Sequence, residues 1–340
     1  MLFRSLLFPC IIIIVLFGSL ACTTTQEVGL IGSHDSDSSA DQDITVFNPN
    51  GPDLGETLSF AQRYTLAVSP TGNRAFASDR QGTVRTIVSL DGTPSLEGTL
   101  DLPHRARVLA VMSPQILIAA GTDLQNASKT MVTTSLASQI IDTFEFDGAN
   151  VVAMDICDDE TLLLARSGSV RKLIVSSNGN LSDTGEVFST RPIADVRCAP
   201  GSATAIVVTT RFRELHAIDL ETMDSVDTRE VAGSFGLSGA FNPDGDRFFA
   251  RSEGFVEVFD FNAATGSFGS DDPLQTSVAL VNASYQGVRM LAVRNDGNRV
   301  FVTDPENDRV VVLNASTLVE ADVLSGSGLH DPLSIVIGGE

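Results

Sequence analysis

The 340-residue chain has no Trp, two Tyr and four His, and its only lysines are Lys129 and Lys172. His34, His104, His216 and His330 stand far apart with no repeated Cys or His nearby, so a multi-histidine metal centre has no ligand set to draw on. Basic residues number 22 against 43 acidic ones, for a net charge of −21. That balance excludes nucleic acid and adhesion to an anionic membrane surface as partners. The short signatures of nucleotide or hydrolytic chemistry are also missing. There is no Gly-rich phosphate loop, no His-Glu-x-x-His and no Gly-x-Ser-x-Gly elbow, and Ser325 and Ser327 lie among glycines without a partner base. Nothing implies a cofactor, and no long helical periodicity interrupts the apolar runs.

The N-terminus reads as an export signal. Arg4 is followed by an apolar run from Leu6 to Phe17, short for a membrane span, and then by small residues up to Cys22. Ser19-Leu20-Ala21-Cys22 resembles a bacterial lipoprotein signal, which implies lipid on Cys22 after removal of residues 1–21. Thr23 after that Cys resembles lipoproteins sent to the outer membrane. Cleavage by an ordinary signal peptidase, releasing a soluble secreted protein, is the other outcome. Either way the mature chain is expected outside the cytoplasm, and in the anchored form the lipid is its only attachment to a membrane. Residues 22–43, rich in Ser, Asp, Gly and Gln, read as a flexible acidic tether. Its Asp35, Asp37, Asp41 and Asp43 lack the Gly and terminal Glu of a calcium loop.

Beyond the tether one phrase recurs: an apolar strand, a turn built on Pro or Gly, and a second apolar strand. It appears at Leu66–Ser78, Ala110–Gly121, Val152–Ala165, Ala194–Val208, Gly239–Ala250 and Leu291–Thr303, and a truncated copy, Ser334–Glu340, ends the chain. Aligned on Val68, Met112, Cys157, Cys198, Phe241, Val293 and Ile337, the copies are spaced by roughly 41 to 52 residues, the length of one four-stranded propeller blade. A third, alternating strand follows in most copies, as at Val84–Val88, Val170–Val175 and Arg309–Asn314, and a weaker fourth after it. The expected fold is therefore all-β, a seven-bladed β-propeller over residues 44–340. Its closing blade takes an inner strand from Pro332–Ile337 and outer strands from Ile44–Asn48 and Glu56–Phe60, with one strand unassigned. Six complete blades with flanking strands is the alternative.

Asn242-Pro-Asp-Gly-Asp-Arg-Phe-Phe-Ala250 and Asn295-Asp-Gly-Asn-Arg-Val-Phe-Val-Thr-Asp304, continued by Arg309–Thr317, resemble the bacterial YVTN-type, lactonase-like seven-bladed β-propeller repeats. The likeness runs over most of Ile44–Ile337 and concerns structural residues, so it implies the fold far more than an activity. Propellers that bind quinones or sugars usually depend on repeated Trp, and this chain has none.

Cys157 and Cys198 occupy equivalent positions in adjacent copies, where an oxidising compartment permits a disulfide; two buried, unlinked thiols are the other reading. The segments preceding the inner strands should surround one mouth of the channel. They carry Arg63, Tyr64, His104, Arg105, Arg107, Arg191, Phe235, Arg289 and His330. Such a face suits an anionic ligand or an envelope protein, since guanidinium groups offer a forked donor to carboxylates and phosphates. Alternatively the arginines pair with acids such as Asp101 or Asp195 and brace the blades. Two functions follow: a non-catalytic binding or scaffold module on a bacterial envelope, or a lactonase-like hydrolase using His104 or His330 as acid or base.

Overall fold

A computed structural model describes residues 27–338, apart from 34–41, 52–53, 61–63, 80, 91–92, 113–115, 137–138, 149–150, 159, 271, 278–279, 281–288 and 327–328. Cys22 and the segment read as a signal peptide lie outside the described residues. The strands form seven antiparallel sheets arranged as a seven-bladed β-propeller. In blade one the strands run outward from the channel as Tyr64–Val68, Arg74–Asp79, Thr83–Val88 and Ser95–Asp101. Blades two, three, four and six begin at the inner strands His104–Val111, Val151–Ile156, Ile193–Cys198 and Leu291–Val293. Blade five begins at Gly236–Phe241, and its outermost position is shared by Ser267–Phe268 and Gln275–Thr276, both paired with Phe255–Asn262.

Turn chemistry explains the Pro and Gly of the repeat. At Asn242-Pro-Asp-Gly-Asp246 the Gly245 N–H donates to the Asn242 carbonyl at 3.0 Å, and the glycine adopts φ 70°, which an L side chain resists. The Asn242 side chain then closes the turn by accepting the Arg247 N–H at 2.9 Å. Gly72 and Gly297 occupy the same place in their blades, at φ 66° and 71°. These turns follow the inner strands and define one face of the ring, called here the exit face. The entry face carries the connections into the inner strands and the turns between second and third strands.

Burial peaks in the second strand of each blade rather than the first. Thr204–Thr209 is buried throughout, whereas Val151–Ile156 and Gly236–Phe241 become partly accessible at their last two residues, which border the exit mouth. The second strand has a neighbour on each edge and a blade against each face; the first has the channel on one edge. Seven apolar clusters each join one adjacent pair of blades, so the core is a ring of seams.

One correction concerns the segment expected to be a tether. Val28–Gly32 is a fully buried strand, the second of the closing blade, lying between Ser334–Gly338 and Gln42–Phe47, with Leu54–Phe60 outermost. It is the strand that remained unassigned from sequence, and with it the seventh blade has four strands. Val28 and Leu30 pack against Leu66 and Ile87 of blade one, while Ile31 joins Phe47, Phe301 and Ile335 in the seam to blade six. Gly29 is required by contact: a Cβ there would lie 2.1 Å from the Phe47 ring.

A disulfide joins Cys157 to Cys198, with Cα atoms 4.8 Å apart, tying blades three and four at the exit face. Adjacent inner strands thus run close enough for the bond. Closing a loop across a sequence separation of 41 residues stabilises by about 4 kcal/mol in the chain-entropy picture. The expected outcome for Cys157→Ser with Cys198→Ser is a loss of roughly 2–4 kcal/mol in denaturant melts, and no loss would mean that the seam between those blades holds them unaided. A second outcome concerns the corrected boundary. A chain starting at residue 26 melts like one starting at residue 22, whereas one starting at Ile44 loses at least about 4 kcal/mol, from Val28, Leu30 and Ile31 at 1.5–3 kcal/mol each. Equal melting of all three would remove the strand from the fold.

Candidate binding face and the channel

The inner strands carry charges inside the ring. Asp195, in the inner strand of blade four, is almost fully buried and its acceptor capacity is filled. Its Oδ2 accepts the Ser238 hydroxyl and the Gly239 N–H of blade five, each at 3.0 Å, and the Arg197 Nη2 at 3.0 Å, while Oδ1 takes the Val196 N–H at 2.9 Å. Asp155 does the same one blade earlier, its Oδ2 accepting the Cys198 N–H at 2.9 Å. Each carboxylate therefore ties its own inner strand to the backbone of the next. Burial raises the Asp155 carboxyl above its ordinary range, against the pull of Arg197 and Arg289.

Arg289 enters this cluster from across the channel. Its carbonyl accepts the Ile335 N–H of blade seven at 2.9 Å, while its guanidinium lies 3.5 Å from the Met154 carbonyl and 3.8 Å from Asp155 Oδ1 in blade three. Burial, and then the neighbouring Arg197 cation, lower its pKa to about 10. Arg289 thus braces the ring internally, with Asp155 as its partner and Asp195 nearby.

His104 is likewise inside. The inner strand of blade two alternates so that His104 and Ala106 face inward while Arg105 and Arg107 are exposed. His104 is 0% exposed, its Nε2 3.0 Å from the Thr133 hydroxyl, and burial lowers its pKa to about 4. A neutral ring sealed from water does not serve as a surface acid or base. His330 is exposed on the entry face, beside Asp331, whose N–H donates to Asp308 Oδ1 at 2.8 Å. Arg63 lies outside the described residues, and Tyr64 opens the inner strand of blade one.

The entry face over blades four and five gathers the remaining expected residues. The Arg191 guanidinium lies 3.9 Å from the centre of the Phe212 ring and 3.7 Å from Glu214. Phe212 is 41% and Phe235 43% exposed. They belong to one local unit, because the Gly236 N–H donates to the Thr210 carbonyl at 3.0 Å and the Val231 N–H to the Arg213 carbonyl at 2.8 Å. The turn Arg211-Phe212-Arg213, exposed at all three residues, escaped the sequence reading, which followed only the segments before inner strands. Its signal was an aromatic between two arginines in a turn.

On the exit face a cavity of about 510 Å³ opens among Val68, Pro70, Pro243, Asn295 and Ile337. Among the described residues no group of three or more His, Cys, Asp or Glu side chains is placed to hold a metal ion, and no helix is long and apolar enough to cross a membrane.

No family model matches the chain, and no curated protein matches it in sequence. Solved structures do share its fold. A protein of unknown function from Desulfotomaculum acetoxidans superposes with a TM-score of 0.77 at 14% identity, over 92% of this chain and 98% of the other. A 6-phosphogluconolactonase candidate from Bacteroides uniformis gives 0.73 at 12% identity, over 92% and 100%. Another from Bacteroides fragilis gives 0.72 at 14%, over 93% and 99%. At such identities the likeness establishes the propeller and carries no activity with it.

The buried imidazole yields a pH test. The unfolded chain takes up a proton near pH 6.5 and folded His104 only near 4, so the stability held by the neutral ring is complete above 6.5 and is lost as pH falls toward 4. The shift is worth about 3 kcal/mol. Denaturant melts at pH 7.5 and 4.5 should show His104→Gln losing less stability on acidification than the native chain, by about 2.5 kcal/mol, since folded His104 has only begun to protonate at the lower pH. An identical loss in both would place His104 in contact with water.

Proposed function

We propose that this chain is a non-catalytic binding module, exported and held to the bacterial envelope by lipid on Cys22, which takes its partner on the entry face over blades four and five. The carrying observation is the pair of exposed phenylalanines, Phe212 and Phe235, with Arg191 stacked on the first. Aromatic residues and arginine are the side chains that most often dominate interface energetics, since they bury large rigid area and offer directed polar contacts. The chemistry fits a partner presenting a carboxylate beside an apolar side chain: the ring takes the apolar group and the guanidinium the anion.

A lactonase-like reaction finds less support. It needs a base that reaches water beside a guanidinium: His104 is sealed against Thr133, and the exposed His330 stands before the inner strand of blade seven, apart from Arg191 and Phe212 over blades four and five. It also needs a guanidinium free to hold the carboxylate formed, and Arg289 is committed to Asp155.

The test uses the double variant Phe212→Ser, Phe235→Ser in the full chain. Both side chains are exposed, so thermal melting should stay within a degree or two of the native protein. Crosslinking in intact cells should give a defined adduct with the native chain that the variant loses by at least tenfold. Saturable hydrolysis of a lactone by the purified protein, abolished by Arg289→Gln, would overturn the reading.

A further inference from the structure

The anchor and the first strand together fix which way the ring faces. The chain enters the fold at Glu27, whose carboxylate accepts the Asn295 N–H at 2.7 Å and lies 3.7 Å from Arg294 Nε. The next residue, Val28, pairs with Gly338, the last residue of the inner strand of blade seven, and Gly32 pairs with Ser334 at its start. Glu27 therefore sits on the exit face, beside the mouth lined by Asn295, Ile337 and Gly338. Only residues 23–26 separate it from Cys22. Five Cα steps span about 17 Å at full extension, whatever path they take.

That length decides between the two faces. To bring the entry face to a bilayer, the segment must pass outward beyond the third and fourth strands, about 10 Å at 4.8 Å per strand, and then climb the blade, about 13 Å for the five residues of Val28–Gly32. The sum exceeds its reach. We infer that the exit face, bearing the Cys157–Cys198 disulfide and the 510 Å³ mouth, lies toward the membrane within about 17 Å, and that the entry face points away, open to a partner. The inference rests on lipidation of Cys22. The chain sets this orientation and lipid adsorption does not, because exit-face turns expose Asp158, Glu221, Asp244, Asp246 and Asp296, which anionic headgroups repel.

The absence of Trp makes the test direct. Thr71, exposed in the first exit-face turn, and Leu124, 43% exposed in an entry-face turn, each become a lone fluorophore in the variants Thr71→Trp and Leu124→Trp. The full-length lipidated proteins are reconstituted in phosphatidylcholine vesicles containing a dansyl-headgroup lipid. Energy transfer should be at least twofold greater from the Thr71→Trp probe. Inserting twenty Gly and Ser residues between Thr25 and Glu27 should erase the difference, since a flexible linker of that length reaches round the ring. Equal transfer without the insertion, or a difference that survives it, overturns the orientation. Flotation separates the two ideas. The native chain should float with the vesicles and Cys22→Ser should not; failure of the native chain to float ends the anchor and the orientation together, whereas flotation with equal transfer ends the orientation alone.

Discussion

The structure depends on one contact between the two ends of the chain, the antiparallel pairing of Val28–Gly32 with Ser334–Gly338. Without it the ring has two free sheet edges, and the seams from blade seven to blades one and six lose a wall. The length-dependent cost of bringing together ends some 300 residues apart is only about 5 kcal/mol, because closure entropy grows with the logarithm of loop length. Burying Val28, Leu30, Ile31, Ile335 and Val336 contributes about 7–15 kcal/mol at 1.5–3 each, which offsets that term and part of the cost of ordering the two strands. The backbone bonds of the pairing then set register, since a slip of one residue would turn Leu30 and Ile31 to opposite seams.

Charge plays a second role inside the ring. Asp155 and Asp195 sit on adjacent inner strands, where an unpaired carboxylate would be costly, and each is satisfied by the backbone of the next blade and by Arg197. Arg289 completes the set from the far side of the channel. Two carboxylates and two guanidinium groups leave the cluster without net charge, and arginine suits the place because its donors are fixed in a plane and it keeps its proton when buried. Buried ion sets of this kind add little stability over apolar packing, and their plainer effect here is geometric: they fix how far one inner strand slides past the next.

The repeat was legible because each blade needs the same objects in the same order, and the turn glycines punctuate them. The second strand of the closing blade was not, because Val28-Gly-Leu-Ile-Gly32 carries two glycines inside a stretch of Ser and Asp, so composition hid an apolar core segment. Gly29 is there because Phe47 occupies the space of a side chain, a reason visible only in three dimensions. For the candidate site, chain position placed Arg191 and Phe235 on the entry face correctly, since those segments have no other place to go. It failed for His104, where strand alternation turns the ring inward, and for Arg289, whose backbone stands near the mouth while its guanidinium reaches Asp155. Direction of a side chain at a strand end is decided by neighbours that one repeat cannot reveal.

The proposed binding on a face, and not in the channel, is favoured by where polar capacity is already used. Asp195 has its acceptors filled, and Arg197 and Arg289 share Asp155, so a ligand entering there must break charge-assisted bonds before forming its own. Truncating one partner of a buried pair such as Asp195 and Arg197 costs about 2–5 kcal/mol, and a ligand that displaces one meets a penalty of that order. On the entry face the cost is smaller. Phe212 and Phe235 gain by leaving water, and the Glu214 contact of Arg191, 3.7 Å long and half in solvent, is weak enough to be exchanged for another carboxylate. Binding energy is therefore available where the apolar surface is still exposed and the guanidinium only loosely held, and the channel, whose groups already satisfy one another, is left to hold the blades in place.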